Sequence, residues 1–250
     1  MRAFNLRATL QTPVEIARPL HLDGLLLAAR ERRENLLDLS RPLECVAMED
    51  GVYRASAGFL VAQGLFGVAV DPMYRTWRFR NEDFGTLSTF AVNKDMPAAE
   101  RRLGTANSKY RNGFRRHDVL TGVASVVWQC VGDPEAVLAL ARHIRGIGQS
   151  ATTGYGRVRD WSLEACDVPD AEAAWVSGGR VLRNLPARML PPGTTVDPLH
   201  ASLDVQRPAP PYWDREGREE CWIPTLSSLT GDVDTLDEVM RGSDEAVLAA

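Results

Sequence analysis

The sequence contains no continuous run of about 18 apolar residues, which is the length that a membrane-spanning helix needs. The opening residues, MRAFNLRATLQT, alternate polar and apolar side chains and have no apolar core of the kind found in signal peptides. We therefore expect a cytoplasmic protein that does not bind a membrane.

Cysteine and histidine are scarce, with four residues of each. The four cysteines are far apart in the sequence and form no CxxC pair, which argues against a zinc site and fits a reducing compartment. No cluster of acidic residues suggests another metal. The sequence therefore predicts neither a metal nor a cofactor.

Lysine is nearly absent, because Lys94 and Lys109 are the only two, and the remaining basic side chains are arginines. Residues 1–159 carry 22 basic and 16 acidic side chains, whereas residues 160–250 carry 7 basic and 17 acidic ones. The excess is largest between Arg101 and His117, where six basic residues occur without an acid. Such a segment is typical of a surface that follows a phosphate backbone, and a solvated loop without a partner is the alternative.

A helix, a glycine-rich loop and a strand are predicted between Asp133 and Cys166. Asp133 is a good N-cap and Pro134 suits the first helical position. Because the glycines follow a helix, the loop is not a dinucleotide-binding fingerprint, and we expect it to press closely against a polyanion. The four glycines are Gly146, Gly148, Gly154 and Gly156, and the flanking basic residues are Arg142, His143, Arg145, Arg157 and Arg159.

The glycines also have structural interpretations. Gly146 is suited to be the C′ residue that ends the helix. Gly154 and Gly156 are suited to a β-bulge before the predicted final strand, Tyr155 to Glu164. We favour a functional role, because four glycines fall within eleven residues between arginines.

The other segments predict an α+β fold of the ferredoxin-like type. Alternation from Phe4 to Leu10 indicates a strand, a helix is expected from Leu22 to Asn35, and residues 51–70 suggest one or two strands. Residues 76–80 are expected to form half of a β-hairpin, and residues 81–117 an irregular insertion. The segment from Asp118 to Val131 is apolar on both faces and therefore predicts a central strand.

The last third is acidic and rich in proline, with seven prolines from Pro186 to Pro211. Such a segment is unsuited to a helix or a central strand, so we expect an extended segment pinned by Trp175, Tyr212, Trp213 and Trp222. Tyr212 and Trp213 are expected either to dock on a neighbouring subunit or to pack on their own domain. The predicted domains are residues 1–165, with an insertion at about 71–117, and a C-terminal extension at 166–250.

Three segments resemble the RAMP superfamily of CRISPR-associated proteins. They are PLHLDGLLLAA at 19–29, YRNGFRRHDVL at 110–120, and HIRGIGQSATTGYGRVRDWSLE at 143–164. The PYW at 211–213 is similar to a late motif of the same group. More narrowly, the chain resembles the Cas-five-like small subunit of type IV CRISPR effector complexes.

The resemblance implies a ferredoxin-like, RRM-like RAMP fold that grips the 5′ handle of CRISPR RNA and caps the backbone filament of the ribonucleoprotein complex. The implied partners are the CRISPR RNA, the filament-forming RAMP subunit and the large subunit, with target DNA contacted indirectly. The predicted RNA-binding residues are Arg75, Arg78, Arg80, Lys109, Tyr110, Arg111, Phe114, Arg115, Arg116, His117, Arg145, Gly146, Gly148, Gln149, Ser150, Thr152, Thr153 and Arg157.

Two other functions remain open. Some RAMP relatives cut CRISPR repeat RNA with histidine, tyrosine or lysine, and His117 with Tyr110 and Lys109 would be the catalytic group under that alternative. We expect no enzymatic activity, because no histidine pair has a convincing catalytic spacing. His21 is expected to position the first helix, and His143 to lie in the last turn of the helix before the glycine-rich loop. A protein-only scaffold is the third possibility.

Overall fold

The computed structural model describes residues 1–35, 41–63, 67–80, 110–166, 174–177 and 179–241, without side chains for 74–80, 110–117 and 238–241. Within these residues the helices are α1 (Leu22–Glu34), α2 (Pro134–Ala141) and α3 (Val233–Arg241). The strands in the same ranges are β1 (Arg2–Leu10), β2 (Met48–Glu49), β3 (Val52–Tyr53), β4 (Phe59–Ala62), β5 (Ala69–Arg80), β6 (Tyr110–Thr121), β7 (Val123–Gly132), β8 (Val158–Ala165), β9 (Val176–Ser177), β10 (Arg180–Val181), β11 (Leu185–Pro186), β12 (Ala201–Gln206), β13 (Glu219–Pro224) and β14 (Thr230–Gly231).

The main sheet has the strand order β14-β4-β7-β1-β8. Strand β1 pairs antiparallel with both β7 and β8, β4 pairs antiparallel with β7, and the short β14 pairs parallel with β4. Helix α1 connects β1 to β4, and α2 connects β7 to β8. The protein is thus an α+β protein with a mixed five-stranded sheet, and the order β4-β7-β1-β8 is consistent with the predicted RAMP-like fold.

The main core lies between this sheet and the first two helices. Every second residue of β1 from Phe4 to Leu10 is buried there, as the alternating sequence predicts. Leu22 and Leu26 of α1 lie in the same cluster, together with Trp128 of β7. The predicted central strand is therefore confirmed for β7, which lies in the middle of the sheet.

A second apolar cluster involves α3 and the strands at the β14 end of the sheet. Phe59 and Val61 of β4 and Val127 of β7 pack with Leu182 and Leu236. Strand β7 therefore contributes to the core on both faces, since Trp128 belongs to the main cluster and its neighbour Val127 to the second. This explains why its sequence is apolar at successive positions.

The prediction of a single strand from Asp118 to Val131 is wrong at Gly122. Strand β6 ends at Thr121 and β7 begins at Val123. Gly122 has a φ of +78°, and a Cβ there would lie 2.4 Å from the carbonyl oxygen of Gly67. The chain therefore turns at the one residue that tolerates both conditions.

The prediction that residues 110–117 belong to an irregular basic segment is also wrong. These residues are in β6, which pairs with β5 in a two-stranded sheet. This pairing agrees with the expected hairpin strand near residues 76–80, and residues 81–109 lie outside the described part of the chain. Charge, unlike apolar alternation, carries no signal of secondary structure, so the basic composition of residues 110–117 does not reveal this strand.

The proline-rich segment forms a three-stranded sheet of order β11-β13-β12. Pro186 lies in β11 at one edge, where its missing N–H is tolerated. The central strand, β13, begins at Glu219 after the seven prolines, and Pro224 occupies only its last position. Trp222 of β13 packs against a small core that contains Trp175 and Leu185, so two of the predicted aromatic pins do pack on their own chain.

The chain divides into two compact units. The first comprises residues 1–70 and 120–250 and contains both of the larger sheets. The second comprises residues 71–119. No helix within the described ranges is long and apolar enough to cross a membrane.

Candidate nucleic-acid interface

The glycine-rich loop is fixed against the segment that follows β1. The N–H of Gly156 donates to the carbonyl oxygen of Pro13 at 2.7 Å, and the N–H of Gln149 donates to that of Glu15 at 2.9 Å. The hydroxyl of Ser150 donates to the carboxylate of Glu15, and both residues are buried. Ser150 therefore holds the loop in place from inside, whereas its neighbours Gln149 and Thr152 are exposed.

Two of the glycines are required by this packing. Gly148 has a φ of +86°, and a Cβ on it would lie 2.5 Å from the carbonyl oxygen of Glu15. Gly156 has a φ of +59°, and its Cβ would lie 2.0 Å from the carbonyl oxygen of Ile147. Both glycines thus bring the loop close to the chain's own backbone.

The structural interpretations of the other two glycines are wrong. Helix α2 ends at Ala141 with Arg142 as C-cap, and Gly146 instead forms a β-bridge with Arg157. Gly154, with a φ of +99°, ends a single 3-10 turn and has no neighbour within 4 Å of a Cβ position. The register shift between β1 and β8 lies where Leu10 pairs with Val158, beyond both glycines of the predicted bulge.

The basic side chains around the loop are exposed. None of the arginines among them forms an ion pair with an acid that the structure describes, although Asp160 is close in sequence. Thr152 and Thr153 are exposed beside them. The exposed basic residues are Arg142, His143, Arg145, Arg157 and Arg159. Unpaired guanidinium groups on an exposed loop have their hydrogen-bond donors available for phosphate oxygens.

The remaining predicted site residues belong to β5 and β6. These two strands pair, so the backbone brings both sets of basic residues into one ribbon. Lys109 lies outside the described residues, and no side-chain position is described for the others. They are Arg75, Arg78 and Arg80 on β5, and Tyr110, Arg111, Phe114, Arg115, Arg116 and His117 on β6.

The described histidines do not assemble a catalytic centre. His143 is exposed and lies beyond the end of α2, so the prediction that it occupies the last helical turn is wrong. The Nε2 atom of His200 lies 3.8 Å from Oδ2 of Asp197, its partner in a local turn. No group of three histidine, cysteine or acidic residues in the described ranges is arranged to hold a metal ion.

His21 is buried directly before α1, as its predicted role in positioning that helix requires. Its ring stacks on Tyr212 with 4.5 Å between the ring centroids. Burial lowers the pKa of His21 to about 4, although the carboxylate of Asp23 opposes that effect. The imidazole is therefore neutral near pH 7.

A buried ion pair between Asp23 of α1 and Arg183 was not predicted from the sequence. Both side chains are fully buried, and Nη2 of Arg183 lies 3.1 Å from Oδ2 of Asp23. The hydroxyl of Tyr212 donates to Oδ1 of the same carboxylate at 2.8 Å. Desolvation and the neighbouring Asp23 raise the pKa of Tyr212, which therefore stays protonated.

Arg183 also donates to the backbone carbonyl oxygens of Tyr53, Ala55 and Pro208. Tyr212 is thus an anchor on its own domain, which was one of the two predicted outcomes. Trp213, its neighbour, is 74% exposed. Sequence spacing offers no signal for this cluster, because Asp23 and Arg183 are 160 residues apart.

Most of the chain is similar in sequence to one known protein family. Residues 68–224, more than half of the sequence, match the family "CRISPR type IV associated protein Csf3". Among solved structures, the chain is similar to one from the "Cryo-EM structure of the Type III-B Cmr-beta bound to cognate target RNA", with 10% identity and a TM-score of 0.34. The similarity covers 66% of this chain and 61% of that one. No curated protein matches the sequence.

Proposed function

We propose that this chain, which belongs to the Csf3 family of type IV CRISPR-associated proteins and is a subunit of a type IV CRISPR effector complex, binds the 5′ handle of the CRISPR RNA. The observation that carries the proposal is the set of exposed loop arginines without an ion-pair partner among the described residues, such as Arg145 and Arg157. In this role the subunit caps the end of the filament formed by the backbone RAMP subunit and adjoins the large subunit.

The glycine-rich loop supplies a rigid platform for this contact. Gly148 and Gly156 allow its backbone to pack against other backbone segments, and the buried hydrogen bond from Ser150 to Glu15 holds it in place. A loop that is preorganised in this way loses little conformational entropy when RNA binds. Gln149, Thr152 and Thr153 add exposed hydrogen-bonding groups to the arginines.

The β5–β6 ribbon is the second contact in this proposal. Its arginines occur on both paired strands, and on β6 Phe114 lies between Arg111 and Arg115 while Tyr110 directly precedes Arg111. Arginines that alternate with aromatic residues suit single-stranded RNA, because the guanidinium groups bind phosphates while the rings stack on unpaired bases. The chain's role is binding, so it should leave repeat RNA uncut with and without divalent ions. Cleavage that is lost in His117→Ala would instead assign the endonuclease function.

The test is RNA binding by the double variant Arg145→Gln/Arg157→Gln. Its affinity for an RNA with the 5′ handle should fall by at least about tenfold, because charge-assisted hydrogen bonds are worth about 1.5–3 kcal/mol each. The slope of log affinity against log salt should decrease by about 1.4, which is the loss of two phosphate contacts on a single strand.

The matched control is Arg32→Gln/Arg215→Gln, which removes two exposed arginines of α1 and of the C-terminal segment. It changes the net charge by the same amount and should leave both affinity and salt slope nearly unchanged. Equal effects from the two double variants would mean that only the overall charge matters, and would contradict a specific role for the loop.

A further inference from the structure

A groove of about 550 Å³ opens between the start of α1 and strands β12 and β13. Its lining residues belong neither to the glycine-rich loop nor to the β5–β6 ribbon. The volume lies in the range of pockets that hold small ligands. About half of the thirteen lining residues have polar side chains, and the others are apolar.

Aromatic rings form part of the groove. His21 and Tyr212 line it as a stacked pair with an interplanar angle of 26°. Trp213 also lines it and keeps 74% of its surface exposed. An exposed indole beside the groove offers a flat face on which a planar ring can stack.

Two polar atoms of the lining residues are enclosed by the chain, and a side-chain interaction joins the two residues. They are Nδ1 of His21 and Oδ1 of Asn184, and both residues are more than nine-tenths buried. The Nδ2 atom of Asn184 donates to the carbonyl oxygen of Arg207 at 3.3 Å, which fixes the amide. The enclosed side chains of His21 and Asn184 therefore form a fixed polar part of the groove wall.

The groove carries one positive and one negative side chain, Arg18 and Asp204. Arg18 lines it, is exposed and forms no ion pair with an acid in the described ranges. Asp204 is the one acidic lining residue, and it accepts hydrogen bonds from the N–H of Val205 and from Gln206. The guanidinium of Arg18 is therefore the group of the groove that can bind a phosphate, since Asp204 is held by its local hydrogen bonds.

We propose that this groove binds one unpaired nucleotide of single-stranded RNA, with its base on Trp213 and its phosphate on Arg18. The inference rests on the proposed function, since the nucleotide belongs to the RNA that the loop holds. A protein segment would fit the apolar part of the wall but gives no use for an exposed arginine beside stacked rings.

The first test uses the four ribonucleoside 5′-monophosphates as probes of the full-length chain, with binding measured by ligand-observed NMR. The wild type should bind at least one of them, and Trp213→Ala should weaken that binding by about 5- to 100-fold, as loss of one stacked base predicts. Arg18→Gln should weaken it as well. Leu199→Ala, at a side chain that is 77% exposed and outside the groove, is the matched control.

The second test uses RNA with the 5′ handle and 4-thiouridine at single positions. One position should crosslink to the groove, and Trp213→Ala should abolish that crosslink. The loop variant Arg145→Gln/Arg157→Gln should weaken binding of the RNA but leave monophosphate binding unchanged.

Two results would show that the groove is not a nucleotide site while leaving the proposed function intact. The first is a wild type that binds RNA but no monophosphate, and the second is an RNA that crosslinks to the groove from none of its positions. A crosslink from Trp213 to another subunit in the assembled complex would assign the groove to protein and overturn the inference.

Discussion

At the scale of single residues, Arg183 joins three parts of the chain that are distant in sequence. It pairs with Asp23 of α1, donates to the carbonyl oxygens of Tyr53 and Ala55, and contacts Tyr212. A guanidinium with five donors can satisfy all of these acceptors at once, which an ammonium group cannot do. This explains how a fully buried charge is tolerated here.

Replacing Arg183 with methionine should lower the free energy of unfolding by about 3–5 kcal/mol, because the carboxylate of Asp23 then stays buried without its partner. Urea unfolding followed by circular dichroism measures this difference. The control is Arg188→Met, which removes an exposed arginine paired with Glu219 and should have little effect. Similar losses in the two variants would show that burial does not determine how much the Arg183 ion pair contributes to the free energy of unfolding.

The pKa of His21 predicts a dependence of stability on pH. In the unfolded chain the imidazole takes up a proton near pH 6.5, whereas in the folded protein it does so only near pH 4. Between these values the unfolded state binds more protons, so stability falls as the pH decreases from about 6.5 to 4. The expected loss from this residue alone is about 3 kcal/mol.

The measurement is urea unfolding from pH 7 to pH 4 for the wild type and for His21→Gln. The two proteins have the same carboxylates, so the difference between the two curves isolates the imidazole. The wild type should lose more stability than the variant over this interval. Parallel curves would show that His21 takes up its proton equally well in the folded state.

At the scale of elements, the glycine-rich loop contains a matched pair of left-handed glycines. Gly156→Ala should lower the free energy of unfolding by more than the roughly 1–2 kcal/mol expected of a left-handed alanine, because its Cβ also meets the carbonyl oxygen of Ile147. Gly154→Ala meets no neighbouring atom and should show only the backbone cost. Thermal unfolding compares the two variants, and equal losses would rule out the close contact at Gly156.

The sequence predicts elements well where apolar side chains are periodic. The alternation in β1, the start of α1 at Leu22 and the cap of α2 by Asp133 all agree with the structure, and the side chain of Asp133 accepts from the N–H of Ala136. The strand in residues 110–117 was missed because its composition is basic. The end of α2 at Ala141 was missed because apolar spacing continues to Ile144, which is buried beyond the helix.

The candidate site also has features that local sequence predicts and contacts that it does not predict. Exposed arginines around the loop were predicted from local spacing alone, whereas the partner of the loop is residues 13–15 and the partners of Arg183 are distributed over the chain. Such contacts depend on how the sheet brings distant segments together. No pattern in one sequence encodes them.

At the scale of the whole molecule, we propose that residues 71–119 are a separable insertion. The five-stranded sheet is complete without them, and the chain leaves and re-enters the first unit at adjacent strands, where Thr121 contacts the carbonyl oxygen of Ala69 at 3.5 Å. Replacing 71–119 with a short glycine-serine linker should therefore preserve the fold, with a melting temperature within a few degrees of the wild type.

The same deletion should reduce affinity for RNA with the 5′ handle, because it removes the basic residues of the β5–β6 ribbon. Binding is measured by fluorescence anisotropy at several salt concentrations, where the slope should also decrease. The monophosphate assay serves as an internal control, since its groove lies in the first unit. A deletion protein that unfolds would show that the insertion is part of the core, and one that binds RNA normally would confine the interface to the loop.

The two residues of the Asp23–Arg183 ion pair are synthesised at different times. Asp23 leaves the ribosome 160 residues before Arg183 and 189 residues before Tyr212. At about 5–20 residues per second, the carboxylate waits roughly 10–30 seconds for its first partner. During that interval helix α1 cannot close onto its final neighbours without burying an unpaired charge. A polypeptide whose translation stops before Arg183 therefore keeps the carboxylate of Asp23 without its partner.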